Sequence, residues 1–332
     1  MSCKLLENQI CIRSDGQYRL CCISTEESNV ETIKTHTLEN WIYSKTHTNA
    51  RQDFVNNKWP AACSKCQQQE ETGILSKRQL ATDYGPGITH LDIRFGNSCN
   101  LACSMCWPGS SSTLVHEHQK LLDNKIESPW GTVPFEVLNW YEDQYAEILS
   151  SITTLKEVYL TGGEPMMVKG LIHFIRLLDS NIVLRFNTNG TILNPSLITE
   201  LRRFKQVNMS FSIDGFGPVN NYIRWGSDWD TICKNLKTCQ DAGFDVSISP
   251  TIQILNELYI VQLKTWAIGN NLKVFNNFLV NPSYHNVENA IWHGGNKTMQ
   301  EVFIKNIKIL DSSRNCNIRD YLPEVARAYG IN

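Results

Sequence analysis

From about residue 88 onward, short β-rich runs alternate with amphipathic stretches. THLDIRFG (89–96) reads as a strand and SSTLVHEHQKLLD (111–123) as a helix. KEVYLTGGEP (156–165) is a strand running into a turn, followed by a helix through IHFIRLLD (172–179). NIVLRFNTNG (181–190) repeats the pattern, with PSLITELRRF (195–204) as its helix. QVNMSFSIDG (206–215) and WDTICKNLKTCQDAG (229–243) form the fourth pair. FDVSISPTIQ (244–253) and LKVFNNFLV (272–280) supply a fifth and a sixth strand, separated by a helix around ELYIVQLKTWAIG. Strands alternating with helices imply parallel βαβ units. Six are too few for the eight of a closed barrel. The expected fold is therefore α/β: a partial (βα)6 TIM-type barrel over 86–332, with a helical extension at its carboxyl end.

The residues with chemical potential recur where those strands end: a cysteine loop, GGEP, NTNG and SIDG. In parallel α/β folds, ligands bind at that edge. The connection between Lys120 and Lys156 is long and is placed to cover it. Residues 1–85 differ in character: polar, cysteine-bearing and poor in long apolar runs. A bound metal cluster could supply the stability that such a small core lacks, and the segment is read as a separate module.

The chain has 332 residues and a formal net charge of −2, so its charge gives no argument for binding nucleic acid or an anionic membrane surface. No apolar run approaches the roughly 20 residues that span a bilayer, and MSCKLLENQICIRSDG has no signal-peptide core. The expected location is the cytoplasm. Twelve cysteines are many for a chain in a reducing compartment, where clustered cysteines bind metal more often than they form disulfides.

CNLACSMC places Cys99, Cys103 and Cys106 on one loop directly after a strand. Three thiolates on a short loop can hold three irons of a [4Fe–4S] cube and leave the fourth iron open to a ligand. A zinc knuckle prefers C-x2-C pairs, so the iron–sulfur reading is preferred. The C-x3-C-x2-C spacing resembles the signature of the radical S-adenosylmethionine (SAM) superfamily. That resemblance implies that the open iron chelates SAM. One electron from the reduced cluster then cleaves it, and the resulting 5′-deoxyadenosyl radical takes a hydrogen atom from substrate. The residue before the last cysteine is usually aromatic in the family. Here it is Met105, with Trp107 just after, and either side chain could pack against adenine.

Further segments extend the resemblance. Gly162, Gly163, Glu164 and Pro165 match the family's GGEP motif, which approaches the methionine amino group of SAM. Ser212 and Asp214 resemble a polar pair facing the ribose or the methionine carboxylate. Asn187 and Asn189 are a weaker match, because Asn-Gly is first a turn signal. Arg224 could pair with the methionine carboxylate. Cys233, Cys239 and Cys316 read as core residues, and His285 and His293 as loop histidines.

In the amino-terminal module, Cys11, Cys21 or Cys22, Cys63 and Cys66 can make a four-thiolate site, for a second iron–sulfur cluster or for structural zinc. CIRSDGQYRLCC, NWIYSK and WPAACSKCQQQEETG together look like a twitch or SPASM auxiliary-cluster module, here placed before the barrel. What the resemblance implies is a peptide or protein substrate and a reductant such as flavodoxin or ferredoxin. The rival readings are an iron–sulfur electron carrier and a radical enzyme that modifies a nucleotide or cofactor.

Overall fold

The computed structural model describes residues 1–25, 31–83 and 85–331. Its strands are β1 (Gln9–Ile12), β2 (Tyr18–Arg19), β3 (His90–Ile93), β4 (Glu157–Leu160), β5 (Val183–Thr188), β6 (Gln206–Phe211), β7 (Asp245–Ile248), β8 (Thr251–Ile252), β9 (Lys273–Val274) and β10 (Asn277–Phe278). The main sheet runs β2-β1-β3-β4-β5-β6-β7-β9, and β10-β8 forms a separate pair. An order with two ends is an open sheet, and the six strands expected from the alternation are all in it. Two more were not expected: β1 lies parallel to β3, and β2 antiparallel to β1. The amino-terminal segment, read as a module apart, thus adds strands to the sheet.

Contacts group the chain into two compact units, and the division does not follow a break at residue 85. One comprises Met1–Asn97, Leu138–Phe186 and Pro195–Val207; the other comprises Ser98–Val137, Asn187–Asn194 and Asn208–Asn332.

In the first unit, register explains why the sheet forms. Ile10 pairs with Leu91 and Ile12 with Ile93; Leu91 and Ile93 pair in turn with Val158 and Leu160, which pair with Leu184 and Phe186. All eight are buried. Paired residues of parallel strands share a face, so these rows make one continuous apolar surface. The opposite face carries Cys11, Asp92, Tyr159 and Arg185 in one row.

In the second unit, helix Ser112–Asp123 buries Leu114, Val115, His118 and Leu121, a 3.6-residue stripe. Ser111 caps it by accepting the Leu114 N–H at 3.3 Å, while donating its own hydroxyl to the Leu101 carbonyl at 2.7 Å. Helix Trp229–Asp241 starts on Asp228, which accepts the Thr231 N–H at 2.9 Å, and buries Ile232, Leu236 and Cys239. Helix Lys297–Arg314 contributes Phe303 and Ile307 to a core shared with Tyr222, Ile254 and Val325. Among the described residues no helix is long and apolar enough to cross a membrane.

Candidate functional site

The cysteine loop follows β3 and belongs to the second unit. Its backbone is held from several sides. Ala102 N donates to the Trp225 carbonyl at 2.9 Å and Ser104 N to the Ile223 carbonyl at 2.8 Å. Ser112 and Thr113 hydroxyls donate to the Cys99 carbonyl at 3.0 and 2.7 Å. The long connection after helix Ser112–Asp123 turns back onto the same loop: the Trp130 indole N–H donates to the Cys106 carbonyl at 3.1 Å. Leu101 is fully buried beneath, and Cys99 and Cys103 are each 8 % exposed.

Polar groups converge on the sulfurs. The Asn189 amide nitrogen lies 3.9 Å from Cys99 Sγ and donates to Asn100 Oδ1 at 2.9 Å. Arg224 Nη1 lies 3.9 Å from Cys103 Sγ. Its Nε is 2.9 Å from Asp214 Oδ2, an ion pair in which Asp214 is wholly buried. Asp214 is itself fixed. Its Oδ1 accepts the Thr251 N–H at 2.7 Å, its N–H donates to Asn220 Oδ1 at 2.9 Å, and its carbonyl accepts from Asn256 at 3.0 Å. The SIDG aspartate is therefore turned into the protein, where it orients an arginine toward a thiol.

These residues fit an iron–sulfur cluster. Burial pushes the Cys103 thiol up, with the Arg224 charge pulling the other way. Burial, then the neighbouring Cys103 and Cys99, pushes Cys106 up to about 12. Three adjacent thiolates are unstable there without cations, which bound iron supplies. Donors aimed at sulfur are the outer contacts such a cluster uses. Among the described residues no three His, Cys, Asp or Glu side chains converge on one metal ion. A cube asks for a different arrangement, with each thiolate on its own iron.

The other predicted residues are placed as follows. Met105 packs against the hydrophobic cores. Trp107 is half exposed, edge-on to Phe135 at 5.6 Å, with its indole N–H donating to Ser110 at 2.8 Å. Asn187 lies near the end of β5, and Ser212 N donates to the Thr188 carbonyl at 2.8 Å. Of the two NTNG asparagines, Asn189 is the one brought to the cysteines. GGEP belongs to the first unit, after β4. Gly162 has φ +120°, and a Cβ there would sit 3.0 Å from Arg94 Cβ and 3.1 Å from the Gly96 carbonyl oxygen. Only glycine accepts both the dihedral and the approach. Glu164 is buried and accepts the Met166 N–H at 3.1 Å, capping the short turn Pro165–Met167.

Among the amino-terminal cysteines, Cys21, Cys63 and Cys66 line one pocket together with Cys3, which sequence reasoning left out. The pocket has about 320 Å³ of unfilled space, counting the part open to solvent, and Phe54, Trp59 and Arg78 complete its wall. Arg78 is tied down by Glu70, with its Nε 2.9 Å from Oε1. Cys11 and Cys22 do not line it. Cys11 is buried in β1 opposite Asp92, and Asp92 also faces Cys22. The signal for Cys3 was weak because it stands alone near the chain start, without a second cysteine at C-x2-C spacing.

The Radical SAM superfamily profile matches residues 93–266, more than half of the chain. GTP 3',8-cyclase of Brucella ovis is 24 % identical over 215 residues, covering 62 % of this chain and 57 % of the relative. GTP 3',8-cyclase of Aliarcobacter butzleri is 30 % identical over 137 residues, covering 40 % of this chain and 36 % of the relative. The matches thus span 57 % and 36 % of these relatives' own length, less than two thirds of either. Among solved structures, native anSMEcpe with bound AdoMet has a TM-score of 0.46 at 16 % identity, covering 67 % of this chain and 60 % of that one. Streptococcus suis SuiB bound to S-adenosylmethionine has a TM-score of 0.45 at 17 % identity, covering 88 % and 62 %. With the signature cysteines inside the matched span and their loop built to carry thiolates, this chain belongs to the radical SAM superfamily.

Proposed function

We propose that this protein cleaves SAM reductively at a [4Fe–4S] cluster on Cys99, Cys103 and Cys106, and abstracts a hydrogen atom from a substrate. The observation that carries this reading is the buried Asp214–Arg224–Cys103 chain of contacts, which sets a positive charge beside a signature cysteine. When bound, the reduced cluster supplies the electron that breaks a carbon–sulfur bond of SAM. The chain's own residues hold and orient. Arg224 places positive charge beside Cys103, Asp214 fixes its direction, and Asn189 offers an amide to Cys99. Gly162, Gly163, Glu164 and Pro165 are assigned to the methionine end of SAM, with Ser212, Asn187, Met105 and Trp107 as further contacts.

The proposed second iron–sulfur cluster, of twitch or SPASM type, is held by Cys3, Cys21, Cys63 and Cys66, because these four line one pocket. Residues 1–85 then act as its module and 86–332 as the radical core. Electrons come from a flavodoxin- or ferredoxin-like donor in the cytoplasm. A peptide or protein is the proposed substrate, on the resemblance to auxiliary-cluster enzymes. The named GTP 3',8-cyclase relatives support a second reading, a nucleotide.

The test is anaerobic reconstitution with iron and sulfide, addition of SAM and dithionite, and detection of 5′-deoxyadenosine by mass spectrometry. Wild type should form it, and the Cys99→Ala/Cys103→Ala/Cys106→Ala variant should not. A reducible wild-type cluster that yields no product, with peptide and nucleotide pools supplied, would make the protein an electron carrier instead.

A further inference from the structure

The first unit contains a second group of charged residues, on the sheet face opposite its apolar rows. Cys11 and Asp92 are paired across β1 and β3, and two residues further along each strand the same face continues with Arg13 and Arg94. Arg94 N donates to the Ile12 carbonyl at 3.0 Å, which keeps the two strand ends in register. A buried tryptophan pins both. The Trp140 indole N–H reaches the Arg13 carbonyl at 2.9 Å and the Arg94 carbonyl at 2.7 Å. Gly162 of GGEP packs against the Cβ of Arg94, so this face adjoins the GGEP turn.

The charges here do not balance. Burial lowers the Arg13 pKa first, and the nearby Arg94 and Arg19 lower it further, with exposed Asp15 a weaker counterweight. Arg94 feels Asp92 most among its charged neighbours, then the thiols of Cys11 and Cys22. Against these positive charges stand only the carboxylates of Asp92 and exposed Asp15 among the acidic side chains acting on the two arginines. Lys77 adds a further positive charge near Asp92. Among the described residues, neither the Arg13 nor the Arg94 guanidinium makes a hydrogen bond or an ion pair. Two half-buried guanidiniums on one sheet face, pinned by their backbones, are a receptor for an oxyanion.

We propose that Arg13 and Arg94 form an oxyanion-binding subsite that takes a phosphate or carboxylate group of the substrate. The proposal rests on the radical enzyme reading for what it calls substrate, and it deepens that reading by giving the substrate a negative group beside GGEP.

The test is calorimetric titration of the anaerobically reconstituted full chain, at low salt, with inorganic pyrophosphate and separately with succinate. Binding of at least one anion is expected, and Arg13→Gln and Arg94→Gln should each weaken it about tenfold. Arg176→Gln, on a surface helix, should leave it unchanged. A preference for pyrophosphate would point to a phosphorylated substrate, and one for succinate to a carboxylate. Arg13 lies at the mouth of a hairpin, so its variant remains informative even where Arg94→Gln fails to fold. The proposal fails where wild type binds neither anion, where both variants bind like wild type, or where saturating SAM abolishes binding, which would give the arginines to SAM. Wild type that binds pyrophosphate yet forms no 5′-deoxyadenosine would instead overturn the radical reading and leave the anion site standing.

Discussion

Replacing Asp214 by Asn probes the link between the SIDG turn and the cysteine loop. The Asn side chain has nearly the same shape and can still accept the Thr251 N–H. What it cannot do is neutralise Arg224, whose Nε stands 2.9 Å from Asp214 Oδ2 with both side chains at 10 % exposure or less. Removing one partner of such a pair leaves a buried charge uncompensated, at a cost of about 3–5 kcal/mol. Against a total stability of about 5–15 kcal/mol that is a large fraction. At about 2 °C per kcal/mol for a long chain, the melting temperature should fall by about 6–10 °C. Melting the reconstituted protein anaerobically measures this. The companion variant Asp214→Asn/Arg224→Met removes both charges and should melt above Asp214→Asn alone, because the orphaned guanidinium is gone. If Asp214→Asn melts within about 2 °C of wild type, or the double variant melts lower still, the buried pair does not hold the loop as argued.

Three further outcomes are expected. Gly162→Ala forces a side chain into φ +120° and against the Gly96 carbonyl; it should cost about 1–3 kcal/mol in thermal melting and weaken SAM binding in an equilibrium assay. His285 is wholly buried, with neither ring nitrogen hydrogen-bonded, and burial, then Arg314, lowers its pKa to about 3. The unfolded chain therefore takes up a proton near pH 6.5 that the folded protein refuses. Stability should be full above that pH and fall on acidification by up to about 1.4 kcal/mol per unit, a slope that His285→Phe should flatten in melts between pH 6.5 and 4. Iron analysis should separate the amino-terminal cysteines. Cys3→Ala is expected to lose the iron of the second cluster while Cys11→Ala keeps it, and the reverse result would return the ligand set to Cys11.

Most of the sheet was legible because six of its strands alternate with amphipathic helical stretches, and four of those strands run into Gly-bearing turns. β1 was not. QICI is four residues in a polar surround, and nothing local marks it as a strand; its burial comes from β3, whose sequence lies far along the chain. The same limit applied at the sites. Cys99, Cys103 and Cys106 were readable because their spacing is local. Cys3 joins Cys63 and Cys66 only through folding, and Cys11, which looked equivalent by composition, is carried to the opposite environment by strand pairing. Asp214 looked like a ligand contact from its turn motif, whereas its role depends on Arg224, ten residues on and invisible to any motif.

The parallel pairing of β1 with β3 also has a kinetic meaning. Residues 13–89 form one closed loop between the two strands, so β1 cannot dock until that whole length has been gathered. Closure entropy grows only slowly with loop length, but non-local pairings of this kind slow folding. Within that loop, a metal drawing Cys21, Cys63 and Cys66 together would cinch most of the span before the strands meet. Metal supply would then set how fast the sheet is completed, and iron-starved chains would linger with β3 as an unprotected edge open to pairing with other chains.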